Sequence, residues 1–418
     1  MGIFSIFRRA EPEASRPHAV SAMAGESAMF GGFGDPAFYE FIRSGGGSET
    51  ASGASVSPKS AMRNTTVLRS VSLISGSIGM LPLHLRRQED KKTAREHPLF
   101  RLLHRKPNAW QTAFEFRSLM QQRVLLHGDA YARIVWSRGR PIALVPLEPS
   151  AMEVKQRADW SLEYRYTPKG GGAVSIDARD VFHLRGQLSD DGVKGLSLVK
   201  LAAEAIGLAQ QGEKAAARLF RNGMLVGGAL KHPGNLSPEA YGRLKASMEE
   251  GQGADNAGKW KILEEGMDLV PGGNSGRDSQ ALETRQHQNE EIARTFGVPR
   301  PLLMLDGTNW GTGVDVLGQF FVRYGLNPWF TAWEQAIERD LLQESEADVY
   351  EAKFNPGGLL RGSINDQAEF FAKALGSGGH QPWMGWEEVR ELSDLPTLDE
   401  APAPGPGLSG TGGGNEPA

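Results

Sequence analysis

The 418-residue sequence has no cysteine. That excludes a disulfide scaffold and thiolate metal sites, and it suits a reducing compartment. No apolar run approaches the roughly 20 residues needed to cross a bilayer. An excess of positive charge is missing too: 46 lysines and arginines face 50 acidic residues, a formal net charge of -4. Proteins that grip nucleic acid through its phosphates are usually basic or carry a basic block. Tight nucleic-acid binding is therefore not expected, although transient contact with DNA is compatible with this balance. Catalytic signatures are absent as well. The nine histidines show no HExxH pair or other metal spacing, and there is no G-x-S-x-G elbow. His127 and His183 read as capping or packing residues. Glu290 and Glu291 are adjacent on a helix and point to different faces, which describes a solvated surface better than an acid–base pair. No catalytic residue, cofactor or metal is expected.

One motif comes close to an active-site pattern. Gly253-Ala-Asp-Asn-Ala-Gly258-Lys259 fits G-x-x-x-x-G-K, but Trp260 stands where a phosphate loop needs Ser or Thr for magnesium. The expected order of elements is also reversed, with a helix before the loop and a strand after it. A chance glycine loop is the better reading, with a cytoplasmic P-loop enzyme as the rival.

What the chain does contain is ordinary for a globular protein, with 39% hydrophobic and 23% charged residues, and its length allows two or three compact units. Its 52 glycines gather at the two ends and around residues 251–276, as flexible arms and loops would. The opening MGIFSIFRRA lacks a signal-peptide pattern, and Ile6 breaks the myristoylation pattern. It reads as a short amphipathic turn or a partner-docking peptide. Residues 10–57 are poor in apolar surface and read as a flexible arm, with order expected from about Ser60.

Val67, Val71, Ile74 and Ile78 recur at helical spacing, with Gly79 and Pro82 as the stop. Leu83–Arg86 alternates as a strand. A short helix over residues 97–104 stops before Pro107. Thr112 and Glu115 form a capping box for a helix ending at His127, and Gly128 suits its left-handed cap. From Asp129 to Gly186 the period becomes two, with turns at Arg138-Gly139 and residues 169–172. This predicts an antiparallel sheet on the preceding helices, an α+β unit. A long helix follows over residues 196–222. Its small face, Ala202, Ala205, Ala209, Gly212 and Ala216, allows close helix approach, either within one subunit or against a neighbouring one. Residues 225–230 read as a strand. Ser237-Pro238-Glu239 starts a helix, and residues 260–263 and 267–270 are expected to form a hairpin. Together they make a small β-α-β-β insert.

The most unusual stretch is Arg277–Leu342. A nearly all-polar helix ends at Gly297-Val-Pro299, a loop carrying Trp310 follows, and a long amphipathic helix comes last. A helix polar nearly all round bridges solvent or lines a watery space. The long helix is expected to bury Leu317, Phe321, Tyr324, Trp333, Ile337 and Leu341 on one side, with a kink at Pro328. Two short helices over residues 365–375 and 386–392 and a disordered tail from Ala401 complete the chain.

In several stretches, taken in order, the chain resembles the portal, or head-to-tail connector, proteins of long-tailed bacteriophages. These are MGIFSIFRR, residues 67–83, residues 97–108, Leu126-His-Gly-Asp-Ala-Tyr131, residues 216–223 and Glu290-Glu-Ile-Ala-Arg-Thr-Phe-Gly-Val-Pro299. The resemblance covers roughly residues 60–395 and extends to phage-like gene transfer agents. It implies a portal fold: a flexible arm (1–59), an α/β wing (60–195), a first stem helix (196–223), a clip (224–276) and a second stem helix (277–298). A tunnel-loop region (299–313), a long wing helix (314–343), a helical crown (344–399) and a disordered tail (400–418) would follow. It further implies a homo-oligomeric ring, a dodecamer, at one capsid vertex of the virion, assembled in the host cytoplasm. The implied partners are the major capsid protein, the terminase large subunit, a head–tail adaptor and double-stranded DNA passing without sequence specificity, with no membrane. By the same resemblance, Asp306, Thr308, Asn309, Trp310 and Thr312 would form the tunnel loop. Glu283, Gln286 and Glu290 would face the channel, and Ala202, Ala205, Ala209, Gly212 and Ala216 would pack between subunits. A monomeric adaptor with flexible arms is the remaining rival.

Overall fold

The computed structural model describes residues 48–222, 228–231, 237–250, 268–271, 277–304, 313–356, 364–379, 381–393, 395 and 398. Apart from three single-turn helices, Pro58–Ala61, Leu198–Leu201 and Glu344–Ala347, the described α-helices are α1 (Thr65–Met80), α2 (Pro98–His104), α3 (Ala113–His127), α4 (Ala203–Asn222), α5 (Pro238–Glu250) and α6 (Arg277–Phe296). They continue with α7 (Gly313–Phe320), α8 (Asn327–Leu341), α9 (Ile364–Ala374) and α10 (Trp386–Leu392). The strands are β1 (Ser48–Glu49), β2 (Ser55–Val56), β3 (Leu83–Arg87), β4 (Asp129–Ser137), β5 (Arg140–Leu147) and β6 (Met152–Gln156). After them come β7 (Leu162–Tyr166), β8 (Val174–Ile176), β9 (Val181–Arg185), β10 (Gly228–Lys231), β11 (Asp268–Pro271) and β12 (Tyr350–Phe354). The expected mixture of helix and sheet is present.

The helix signals of the first third act as written. Asn64 caps α1 by accepting from the Thr66 and Val67 amides. Thr112 and Glu115 cap α3 reciprocally, the Thr112 amide donating to Glu115 Oε2 over 2.7 Å. α1 ends at Met80, between the two expected stops, Gly79 and Pro82. Gly79 also marks the crossing of α1 and α3, where a Cβ would lie 2.0 Å from Ser118 Oγ. Arg117 is buried beneath this crossing and donates to the carbonyls of Gly79, Leu81 and Leu103 at 2.6–3.1 Å. A cation is favourable where helices end. Burial pushes its pKa down to about 10, so it stays charged at neutral pH.

The period-two stretch forms two antiparallel three-stranded sheets, ordered β5-β4-β9 and β6-β7-β8. Arg138 and Gly139 both take left-handed backbone in the two-residue turn between β4 and β5. A small core of Tyr131, Leu147, Val154, Tyr164, Ile176 and Val181 joins the sheets. The main core lies on the other side of β4 and β9, against α1, α3 and α8. Its centre is Trp333, which is 1% exposed, packs 5.8 Å from Phe182 and donates its indole N–H to Gln121 Oε1 over 2.9 Å.

Three expectations need correction. Residues 48–57 are expected in the flexible arm, yet β1 and β2 pair and Thr50, Ala54 and Val56 are buried. Thr50 packs on Gly207 of α4, where a Cβ would meet its side chain at 2.7 Å. The Ala51 amide donates to Glu204 over 3.1 Å. The low apolar content concealed a tight polar turn that a glycine accommodates. Second, β12 was unexpected. Tyr350–Phe354 alternates like a strand and pairs antiparallel with β3 from Tyr350↔Arg87 to Phe354↔Leu83, so a segment expected in the crown (344–399) joins a strand expected in the wing (60–195). Among the described residues β11 pairs with β10. The first arm of the expected hairpin, 260–263, lies outside the described residues, as does Gly253–Lys259.

The third correction concerns the long helix. Between α7 and α8 the chain makes a π turn, Phe321–Leu326, immediately before Pro328. Proline has no N–H and its ring crowds the preceding turn, and a widened turn absorbs both defects. Buried positions there recur every four residues: 321/322, 325/326, 329/330 and 333. Phe321, Trp333, Ile337 and Leu341 are buried as expected and Leu317 is half-buried, but Tyr324 is 62% exposed. Gly325 takes its place in the core.

Gly128, Gly186 and Gly195 meet where β4 and β9 begin and end. A Cβ on Gly195 would lie 2.2 Å from the Gly128 carbonyl oxygen and 2.4 Å from the Gly186 nitrogen. These contacts are backbone and cannot rotate away. Gly195→Ala should therefore lower stability by about 1–3 kcal/mol, measured as a lower melting temperature of the purified chain. An unchanged melting temperature would show that this junction is slack.

Candidate functional site

α6 is built from two unlike halves. Its last turns bury Ile292, Ala293 and Phe296 in the main core, and it stops in a Schellman-type cap. Gly297 adopts φ 68, and the Val298 amide donates to the Ala293 carbonyl over 3.1 Å. Pro299 and a 3-10 turn, Arg300–Leu303, then lead the chain back over α1, where Arg69 donates to the Leu302 carbonyl. The middle of the helix is wet: residues 283–287 are all exposed. It leans on α4 through Arg285 and Glu213, 3.5 Å apart, and on α1 through Thr66 and Asn289, 3.0 Å apart.

The expected channel residues divide accordingly. Glu283 and Gln286 are exposed, as a watery wall requires. Glu290 is only half-exposed and pairs with Arg300 at 2.8 Å, so its charge is largely spent on holding the end of α6. The small face of α4 divides too. Ala202 and Ala209 are buried within the chain's own core, Ala205 and Ala216 are half-buried, and Gly212 is exposed. Ala202 and Ala209 therefore need no second subunit to cover them. Asp306, Thr308, Asn309, Trp310 and Thr312 lie outside the described residues.

One buried polar cluster went unnoticed in the sequence. Asp129 at the start of β4, His183 in the middle of β9 and Tyr164 in the middle of β7 meet around one point. His183 is 1% exposed. Its Nε2 lies 3.0 Å from Asp129 Oδ1 and its Nδ1 lies 3.1 Å from the Tyr164 hydroxyl. Asp129 also accepts the Gly195 amide over 2.9 Å. Tyr131 lies 4.5 Å from the imidazole, centroid to centroid. On the other side, the His183 amide donates to Asp340 and its carbonyl accepts from Arg339, tying the strand to α8. Burial lowers the His183 pKa, outweighing the hydrogen bond and attraction of Asp129. The imidazole is neutral, donating from Nε2 to Asp129 and accepting from Tyr164 at Nδ1. The residues resemble a catalytic set, but their burial leaves no room for a substrate beside them. The cluster is structural and satisfies polar groups where both sheets meet α8. Among the described residues no group of histidine and carboxylate side chains has metal-binding geometry, and no helix is long and apolar enough to cross a membrane.

The chain matches the family model described as "Phage portal protein" over residues 65–394. It is 31% identical over 354 residues to the portal protein of Enterobacteria phage HK97, covering 82% of each chain. It is 29% identical over 385 residues to a probable portal protein of Streptomyces phage phiC31, covering 88% of this chain and 81% of that one. Among solved structures, a chain in the neck of a native gene transfer agent particle with C12 symmetry superposes with a TM-score of 0.58 at 28% identity, covering 82% of this chain and 94% of that one.

Because His183 is held below its unfolded pKa of 6.5, the unfolded chain takes up the proton first as the pH falls. Stability contributed by the neutral imidazole is full above about pH 6.5 and is lost below it, by at most about 1.4 kcal/mol per pH unit. His183→Asn should flatten the fall in melting temperature between about pH 6.5 and 5. Parallel pH profiles in the two proteins would contradict this assignment.

Proposed function

The chain belongs to the phage portal protein family, and from that membership we propose that it forms a ring at one capsid vertex through which DNA is packaged and ejected. Portal proteins are structural components of the capsid, not enzymes. The observation that carries this reading is the family match across residues 65–394, supported by the exposed polar middle of α6. A conduit should not bind what it conducts, and neutral or acidic walls let phosphates slide. The net charge of -4 fits that requirement.

In this reading the two sheets with α1, α2, α3 and α8 are the wing, joined by β12. α4 and α6 are the stem, β10, α5 and β11 belong to the clip, and α9 and α10 belong to the crown. Glu283 and Gln286 face the channel, and Trp310 stands in the tunnel loop. The terminase large subunit and a head–tail adaptor dock on the clip, and the major capsid protein surrounds the ring. The similar neck with C12 symmetry supports twelve subunits.

Negative-stain images and solution mass of the purified chain test the ring: closed rings of about twelve copies are expected, and a monomer at high concentration would overturn the reading. Trp310→Ala should leave the rings intact while reducing the DNA packaged or retained per particle. Normal packaging and retention in that variant would remove the loop from the conduit's working surface.

A further inference from the structure

We infer that the outer face of α7 and the π turn is one half of the subunit interface, and that it seats in the groove between α4 and α6 of the next copy. This rests on the ring reading above and names the surfaces that would close the ring. Val316, Phe320 and Tyr324 are 64%, 53% and 62% exposed along one side of this segment, and Gln319 and Arg323 are exposed on the same side. The Phe320 and Tyr324 rings lie 4.6 Å apart, centroid to centroid, tilted by 50°. Among the described elements, α7 packs chiefly on the π turn that continues it. Val316, Phe320 and Tyr324 together leave a contiguous apolar patch open, the kind of surface that marks a contact site.

The groove supplies a matching surface. It is bounded by Ala51 and Ser52, by Leu201, Glu204 and Leu208, and by Glu291 with its neighbours on α6. Leu201 and Leu208 are 52% and 49% exposed there. Glu204 and Glu291 give the groove two carboxylates against the single cation Arg294, and the exposed Arg323, next to Tyr324, is the opposing charge.

Symmetry favours this pairing over self-association. A closed ring needs a heterologous contact, with different faces of each copy meeting. Neighbours in such a ring are related by rotation alone, so the two faces must lie at one height along the axis. The groove reaches Thr295 near the end of α6, and the π turn lies against the cap of the same helix, where a Cβ on Gly325 would come 3.2 Å from the Gly297 carbonyl oxygen, so the two surfaces lie close together in one subunit.

Because the chain has no cysteine, a crosslink can be placed without background. Full-length chain carrying Gln319→Cys and Leu208→Cys, treated with a short bismaleimide, should give a ladder of covalent oligomers up to ring size. Each single variant should give no ladder. The two singles mixed during assembly should give dimers. Both positions are exposed, so the double variant should melt with the parent and form rings in negative stain. Intact rings with no ladder, dimers in either single variant alone, or a crosslink confined to one polypeptide would each overturn the interface while leaving the ring reading in place. Absence of rings in the unmodified chain would overturn the ring reading itself.

Discussion

The fold depends on α8 being held from three sides at once. Trp333 reaches Gln121 of α3 and packs on Phe182 of β9, while Phe330 stacks on Phe354 of β12 at 4.9 Å. A residue buried to this degree carries several kcal/mol of packing (about 3–5 kcal/mol for a buried tryptophan). Here that energy is shared among elements from residue 121 to residue 354. The polar side of the same helix adds Asp340 and Arg339, which bracket the backbone of His183, and Glu334, which pairs with Lys353 and accepts the Phe354 amide. Loosening α8 would release both the strand that closes the β3 sheet and the cluster that joins the two larger sheets.

α6 is coupled to this body only at one end. Its last turns share the main core, and the rest stands off it on a few polar contacts with α1 and α4. This division explains how a helix so polar remains a helix. Its anchorage is apolar and local, and its exposed length is left free to meet water. The Gly297 cap and the Glu290–Arg300 pair fix the direction in which the chain leaves.

Much of this was legible in the sequence where one local cause decides the outcome. The Thr112–Glu115 cap, the Gly128 and Gly297 stops, the Arg138-Gly139 turn and the alternation of β4 all have such causes. The misses have non-local ones. β12 is short, and only its partner β3, more than two hundred residues away, shows that it belongs to a sheet. Thr50 is buried because Gly207 has no side chain, which no reading of residues 10–57 alone can reveal. Tyr324 was placed inside by a 3.6-residue count that the π turn before Pro328 does not obey. Asp129, His183 and Tyr164 are each ordinary strand residues, and only the pairing of β4 with β9 and the packing of the second sheet bring them together. The family was readable because short stretches with local causes recur in a fixed order.

The π turn also has a genetic consequence. A π turn holds one residue more than the α-helical turn it replaces. Losing a single codon from the stretch encoding Phe321–Leu326 would let the chain close into ordinary helix with the flanking faces kept, so Phe320 and Val316 would stay outside. The same deletion further along α8, where no turn holds a spare residue, would swing one side of the helix by about 100° against the other. Tolerance of a missing residue along this helix is therefore local, and it lies beside the proline.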